Sequence, residues 1–179
     1  MLALVIEAGG DAQAGSPSLV DIVLRAGDGS AVALASVVRA HRLTAVVFFS
    51  ATCPCFAAHR PRLAELARDL EPRGVHFVVV DSERHAAGER PVATGESGLP
   101  ILRDDGALLA RRLDARYATE AFVFDTTAAL RYRGGFDSDR KYLSAGARMD
   151  LRDALVGLLR GTAPPFTSAK ALGCVLRLR

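Results

Sequence analysis

The run Val46-Val-Phe-Phe-Ser-Ala-Thr-Cys-Pro-Cys55 narrows the folds open to this chain more than any other stretch. Thr44 to Ser50 is continuously β-branched and aromatic, the composition of a strand covered on both faces, as occurs where helices pack on both sides of a parallel sheet. It leads directly into two cysteines, Cys53 and Cys55. These open a stretch, Pro54 to Leu70, whose leucines at 63, 66 and 70 recur at helical spacing with arginines and Glu65 on other faces. Pro61 is expected to kink that helix. Gly74 punctuates, and Val75-His-Phe-Val-Val-Val80 reads as a second buried strand ending on Asp81. Strand, helix and strand in this order predict a right-handed parallel crossover, with Thr44–Ser50 at the centre of the sheet.

The remaining elements are shorter. Residues 1–16 read as a loose leader containing Gly9-Gly10 and Gly15. Its apolar opening, Met1 to Ile6, is cut by Glu7 and lacks a basic flank, so neither a signal nor a membrane span is expected and the location expected is cytoplasmic. Leu19–Leu24 and Ala31–Leu34 flank an Asp28-Gly29 turn and predict a hairpin. Ala35–Arg39 suits a short helix. Residues 82–98, polar and glycine-containing, are expected to form an exposed loop, followed by a helix over Leu108–Leu113. Ala121–Phe124 and Leu130–Arg133 predict an antiparallel hairpin. A last helix, starting near Tyr142 or Leu151 and running to Leu159, precedes a Gly161-Thr-Ala-Pro-Pro165 linker and a tail carrying Cys174.

The 23 basic residues are scattered, the net charge is only +3, and no basic cluster interleaves with aromatics, so nucleic-acid binding is not expected. A dinucleotide glycine fingerprint and a phosphate loop are both missing, which implies no organic cofactor. Three cysteines, two of them nearly adjacent, do not make a disulfide framework; such a pair serves catalysis or metal binding. A thiolate is the nucleophilic form of cysteine, and the free N–H groups at a helix start stabilise it. Cys53 is therefore the candidate nucleophile. Turnover requires a second thiol. Cys55 is near but closes a small ring that distorts disulfide geometry; Cys174 lies on a tail that could fold back. Each is also readable as an inert packed thiol. His59 lies four residues after Cys55 and shares its helix face, so a binding protein or copper carrier using Cys53, Cys55 and His59 is the alternative to an enzyme. His41, His76 and His85 show no ligand spacing.

The strand–helix–strand unit followed by a hairpin and a helix, with cysteine at the first strand-to-helix junction, resembles the thioredoxin-like fold in its larger redoxin version. Pro61, eight residues after Cys53, matches the family's helix proline. Ala118-Thr-Glu-Ala-Phe-Val-Phe-Asp125 with Leu130-Arg-Tyr-Arg-Gly-Gly-Phe-Asp137 is similar to a stretch of the peroxiredoxin-like proteins of the alkyl-hydroperoxide-reductase/thiol-specific-antioxidant superfamily. Gly173-Cys174 matches one subgroup. The resemblance implies an α/β domain over residues 17–162, a mixed sheet flanked by helices with an N-terminal hairpin, and a tail over 163–179. It also implies a thiol oxidoreductase or thiol peroxidase. Ser50 stands at the peroxide-binding hydroxyl position, Thr119 at the position of the fold's cis-proline, and Glu120 beside it as a proton shuttle or a cap. Thr52 and Pro54 complete an open cleft around Cys53, and Arg131 or Arg133 either supplies the family's guanidinium or, as the hairpin placement favours, lies on a solvated face. Two departures stand out: Phe56 replaces the second cysteine of a Cys-x-x-Cys pair, and Val46 replaces a peroxiredoxin proline. The implied partners are a thioredoxin-like or small thiol reductant and a peroxide or disulfide substrate; a homodimer is compatible with this reading.

Overall fold

The computed structural model describes residues 16–84, 98–164 and 166–178. Strands β1 (Val23–Arg25) and β2 (Ala31–Ala33) form an antiparallel hairpin and lead into α1 (Leu34–Ala40). Then come β3 (Leu43–Phe49), α2 (Pro54–Leu70), β4 (Val75–Asp81), β5 (Ile101–Arg103), α3 (Leu108–Arg112), β6 (Ala121–Asp125), β7 (Leu130–Gly134) and α4 (Asp150–Leu159). One seven-stranded mixed sheet takes the order β2-β1-β5-β4-β3-β6-β7. The β3, β4 and β5 strands run parallel, while β6 is antiparallel to β3 and β7 to β6.

Every residue of β3 is buried, as its uninterrupted apolar sequence requires. It is interior to the sheet, but the middle strand is β4, because β5 and the first hairpin add on the far side of β4. Sequence periodicity gives no sign of β5, whose three residues are too few to show one. The first hairpin also begins later than expected: residues 19–22 form a turn in which the Ile22 N–H donates to the Leu19 carbonyl at 3.2 Å. Leu19 and Ile22 are nonetheless buried, so their apolar character reports packing rather than strand pairing.

Helix α2 continues through Pro61. An interior proline costs about 3 kcal/mol, whereas burying Phe56, Leu63, Leu66 and Leu70 stabilises the helix by roughly 1.5–3 kcal/mol per side chain. Packing wins. The leader at residues 1–15, His85 and most of the expected exposed loop lie outside the described residues. Where that loop begins the expectation fails, because Ser82 and Glu83 are buried. Among the described residues no helix is long and apolar enough to cross a membrane.

Register determines what meets at one end of the sheet. Phe49 at the end of β3 pairs with Asp81 at the end of β4, and Val47 pairs with Ala121 at the start of antiparallel β6. The segments following β3 and β4 and preceding β6 therefore converge at the carboxyl ends of the parallel strands, where α/β sheets usually place their ligands. The segment after α4 runs along β7, with the Arg133 N–H donating to the Thr167 carbonyl at 3.0 Å and the Ala169 N–H to the Arg133 carbonyl at 3.2 Å. It then crosses to the same end.

Candidate active site

Cys53 is the N-cap of α2, with extended backbone, and Pro54 takes the first helical position. Proline suits that place because its missing N–H has no intrahelical partner there. The Cys53 sulfur stands where a capping oxygen usually stands and accepts from the Phe56 N–H at 3.4 Å. The helix start is thus turned toward this sulfur.

The tail brings Cys174 onto it. The Cys174 carbonyl accepts from the Ala118 N–H at 2.9 Å, and the Leu176 N–H donates to the Arg116 carbonyl at 2.8 Å, so Val175 and Tyr117 form an antiparallel bridge. Gly173 is required for this approach: a Cβ there would stand 1.5 Å from the Ala118 carbonyl oxygen. The Cys53 and Cys174 sulfurs are 2.7 Å apart. Those of Cys53, Cys55 and Cys174 all lie within 4.8 Å of one another, and all three cysteines are free. Burial pushes the Cys174 thiol up to about 12, reinforced by its hydrogen bond to Cys53 and by the nearby Cys53 and Cys55 charges.

The expected open cleft is closed by this tail. Cys53 is 2% exposed, and a cavity of about 400 Å³ opens instead beside Cys55 and Cys174, lined also by Pro54, Arg140, Lys141 and Tyr142. Thr52 is exposed and is not among the residues lining this cavity. Ser50 is buried and donates its hydroxyl to the Glu83 carboxylate at 2.8 Å. Glu83 in turn accepts from the Arg177 backbone N–H at 3.1 Å and pairs with the Arg177 guanidinium at 3.3 Å. Burial raises the Glu83 pKa, but the Arg177 and Ser50 hydrogen bonds outweigh it and hold the carboxyl below its usual range. This latch was hidden in the sequence, where Glu83 reads as the start of a polar loop and Arg177 as one arginine among many.

Other expected site residues are placed differently. No peptide bond among the described residues is cis, and Thr119 at the expected cis-proline position adopts φ 78°, a left-handed conformation that costs a β-branched residue about 1–3 kcal/mol. It is held by a Thr119 N–H bond to the Phe48 carbonyl at 3.0 Å and is covered by Gly173. Glu120 accepts from the Arg116 N–H at 2.8 Å and from Arg133 Nε at 3.1 Å, the capping and pairing alternative. Arg131 pairs with Asp125. Neither arginine reaches the sulfurs. His59 has both ring nitrogens engaged, with the Cys55 carbonyl at 2.7 Å and Asp137 at 2.9 Å, so it is not turned toward the cysteines as a metal ligand would be. Burial lowers its pKa, but Asp137 and the Cys55 carbonyl outweigh burial and raise it overall. Asp137 was visible in sequence only as part of the Gly-Gly-Phe-Asp stretch.

The profile of the AhpC/TSA family matches residues 17–133. This chain belongs to that family. Its fold is thioredoxin-like. A hypothetical protein from Sinorhizobium meliloti superposes with a TM-score of 0.78 at 25% identity, covering 93% of this chain and 96% of that one. An uncharacterized conserved protein from Geobacillus kaustophilus gives 0.77 at 26% identity, with 97% of each chain covered. Peroxiredoxin Q from Xanthomonas campestris gives 0.57 at 15% identity, over 84% of this chain and 97% of that one, a likeness of fold. Comparison with curated proteins finds no match.

Proposed function

We propose that this AhpC/TSA member is a thiol peroxidase in which Cys53 is the nucleophile and Cys174 the resolving thiol. The observation that carries the reading is the 2.7 Å separation of their sulfurs at the start of α2. The Cys53 thiolate attacks one peroxide oxygen, the O–O bond breaks, and the leaving alkoxide or hydroxide takes a proton as alcohol or water. Cys53 is then a sulfenic acid. The Cys174 sulfur displaces its hydroxyl as water, giving a Cys53–Cys174 disulfide, and two equivalents of an external thiol restore both cysteines while forming their own disulfide. Cys174 is preferred over Cys55 because a Cys53–Cys55 bridge would close a strained ring, whereas the tail presents Cys174 without one. Substrate enters through the cavity beside Pro54 and Tyr142, or when the tail lifts.

One observation favours a second reading, disulfide exchange at the same cysteine pair: the Ser50 hydroxyl donates its hydrogen bond to the Glu83 carboxylate and so does not offer it to a peroxide. Both readings are tested by treating reduced protein with one equivalent of hydrogen peroxide and mapping its peptides by mass spectrometry. Rapid loss of peroxide with a Cys53–Cys174 bridge supports the peroxidase. The same bridge forming only with a disulfide oxidant favours exchange, and a Cys53–Cys55 bridge or no bridge refutes the assignment of Cys174.

A further inference from the structure

The thiol chemistry above uses two sulfurs, yet three converge. Among the described residues, Cys53, Cys55 and Cys174 are the one group of three or more His, Cys, Asp or Glu donors close enough to share an ion. Every donor in the group is a soft sulfur, which selects soft metal ions over oxygen-seeking ones. No nitrogen joins them, because the His59 ring is held by the Cys55 carbonyl and Asp137. Calcium and magnesium call for oxygens, and zinc would need water as a fourth ligand beside three sulfurs, whereas a soft monovalent ion of low coordination number is satisfied by the three sulfurs alone.

With metal–sulfur bonds of about 2.3 Å, the sulfurs of a trigonal site stand about 4 Å apart, within the observed 4.8 Å spread. The Cys53–Cys174 pair must widen from 2.7 Å to that value. Of the two, Cys174 can move, since it lies on the tail and is only half-buried. Three thiolates around one monovalent cation leave a net negative complex, and Arg140 and Lys141 line the adjoining cavity where they offset it.

We propose that the reduced protein binds one Cu(I) ion in a trigonal site made by the sulfurs of Cys53, Cys55 and Cys174. Each thiol releases its proton to solvent on ligation, and no electron is transferred. Binding and the Cys53–Cys174 disulfide exclude each other, because oxidation of that pair leaves a single thiol. The inference needs only the three sulfurs and does not depend on peroxide turnover.

The test is anaerobic titration of the reduced full chain with Cu(I) buffered by bicinchoninate, followed by X-ray absorption at the copper edge. One ion per chain with three sulfur ligands and no imidazole scattering is expected. Cys55→Ser and Cys174→Ser should each weaken binding at least ~100-fold, since even groups behind the ligands of a metal site are worth 10–100-fold. A site with two sulfurs, a histidine ligand, or wild-type affinity in Cys55→Ser overturns the proposal. The wild-type absorption measurement decides the matter even if a variant misfolds. Peptide mapping of peroxide-treated, metal-free protein reports the disulfide separately, so failure of either reading leaves the other standing.

Discussion

Cys53 and Cys174 meet sulfur to sulfur but are held in opposite ways. Cys53 follows a seven-residue strand that is buried throughout and paired on both sides, and it caps a helix of 17 residues. Cys174 belongs to neither a helix nor a strand. Its segment is fixed by single hydrogen bonds to Ala118, Arg116 and Arg84 and by the Glu83–Arg177 pair. Cavities of about 660 and 400 Å³ flank it. Segments with few packed contacts open at low free-energy cost, while sheet cores open only with global unfolding. The difference roots Cys53 in the sheet core and Cys174 in a tail held by hydrogen bonds, an ion pair and the buried Leu176, so on the proposed reading it is the tail side of the pair that gives way when Cys53 is reached.

Removing the rigid member should have the largest effect. Cys53→Ser is expected to reduce peroxide consumption by at least about a thousandfold, as loss of a nucleophile does elsewhere, and steady-state assays retaining more than a tenth of the activity would refute its role. Next comes the tail's approach. In Gly173→Ala the new Cβ collides with the Ala118 carbonyl, so Cys174 loses its pre-positioning and disulfide formation should slow at least ~10-fold. A sulfenic acid on Cys53 should then persist long enough to be trapped by dimedone, with thermal stability little changed. An unaltered disulfide rate would mean that the tail does not need its observed path.

Smaller effects test the latch and the helix beneath the site. Glu83→Gln should lower stability by about 1 kcal/mol. Because the folded-state Glu83 pKa is depressed, that contribution is complete above the ordinary carboxylate range and is lost as pH falls through the lower folded value. Denaturation of wild type and variant at several pH values should show the two curves merging in acid; a gap that persists in acid argues against the latch. His59 has the opposite sign. Its folded pKa is raised above 6.5, so its stabilisation is full below that value and disappears as pH rises through the folded one. His59→Gln should flatten the decline of melting temperature above neutrality by a few degrees or less, and a wild-type slope in the variant would remove His59 as its source.

The comparison between the two sulfurs also marks how far the sequence could be read. The β3–α2–β4 unit, the β6–β7 hairpin and the placing of Cys53 at a helix start were legible because each rests on neighbours along the chain: an unbroken apolar run, leucines at helical spacing, a turn between two short strands. β5 escaped notice because three residues carry no period. Glu83 was misread as solvent-exposed because nothing near it in sequence announces Arg177. The aligned cis-proline position became a left-handed Thr119, and the open cleft became one covered by the tail.

The sequence by itself determined the family, the buried strand β3 and the cysteine at the head of α2, since strand burial, helix periodicity and the capping position are local consequences of residue order. Only the tertiary structure decided that Cys174 meets Cys53, that Cys55 joins them while His59 turns to Asp137, and that Glu83 holds the tail. Those contacts join residues 121, 78 and 94 positions apart. No local preference encodes such distances; they arise when sheet register and tail packing bring separate segments to one end of the strands.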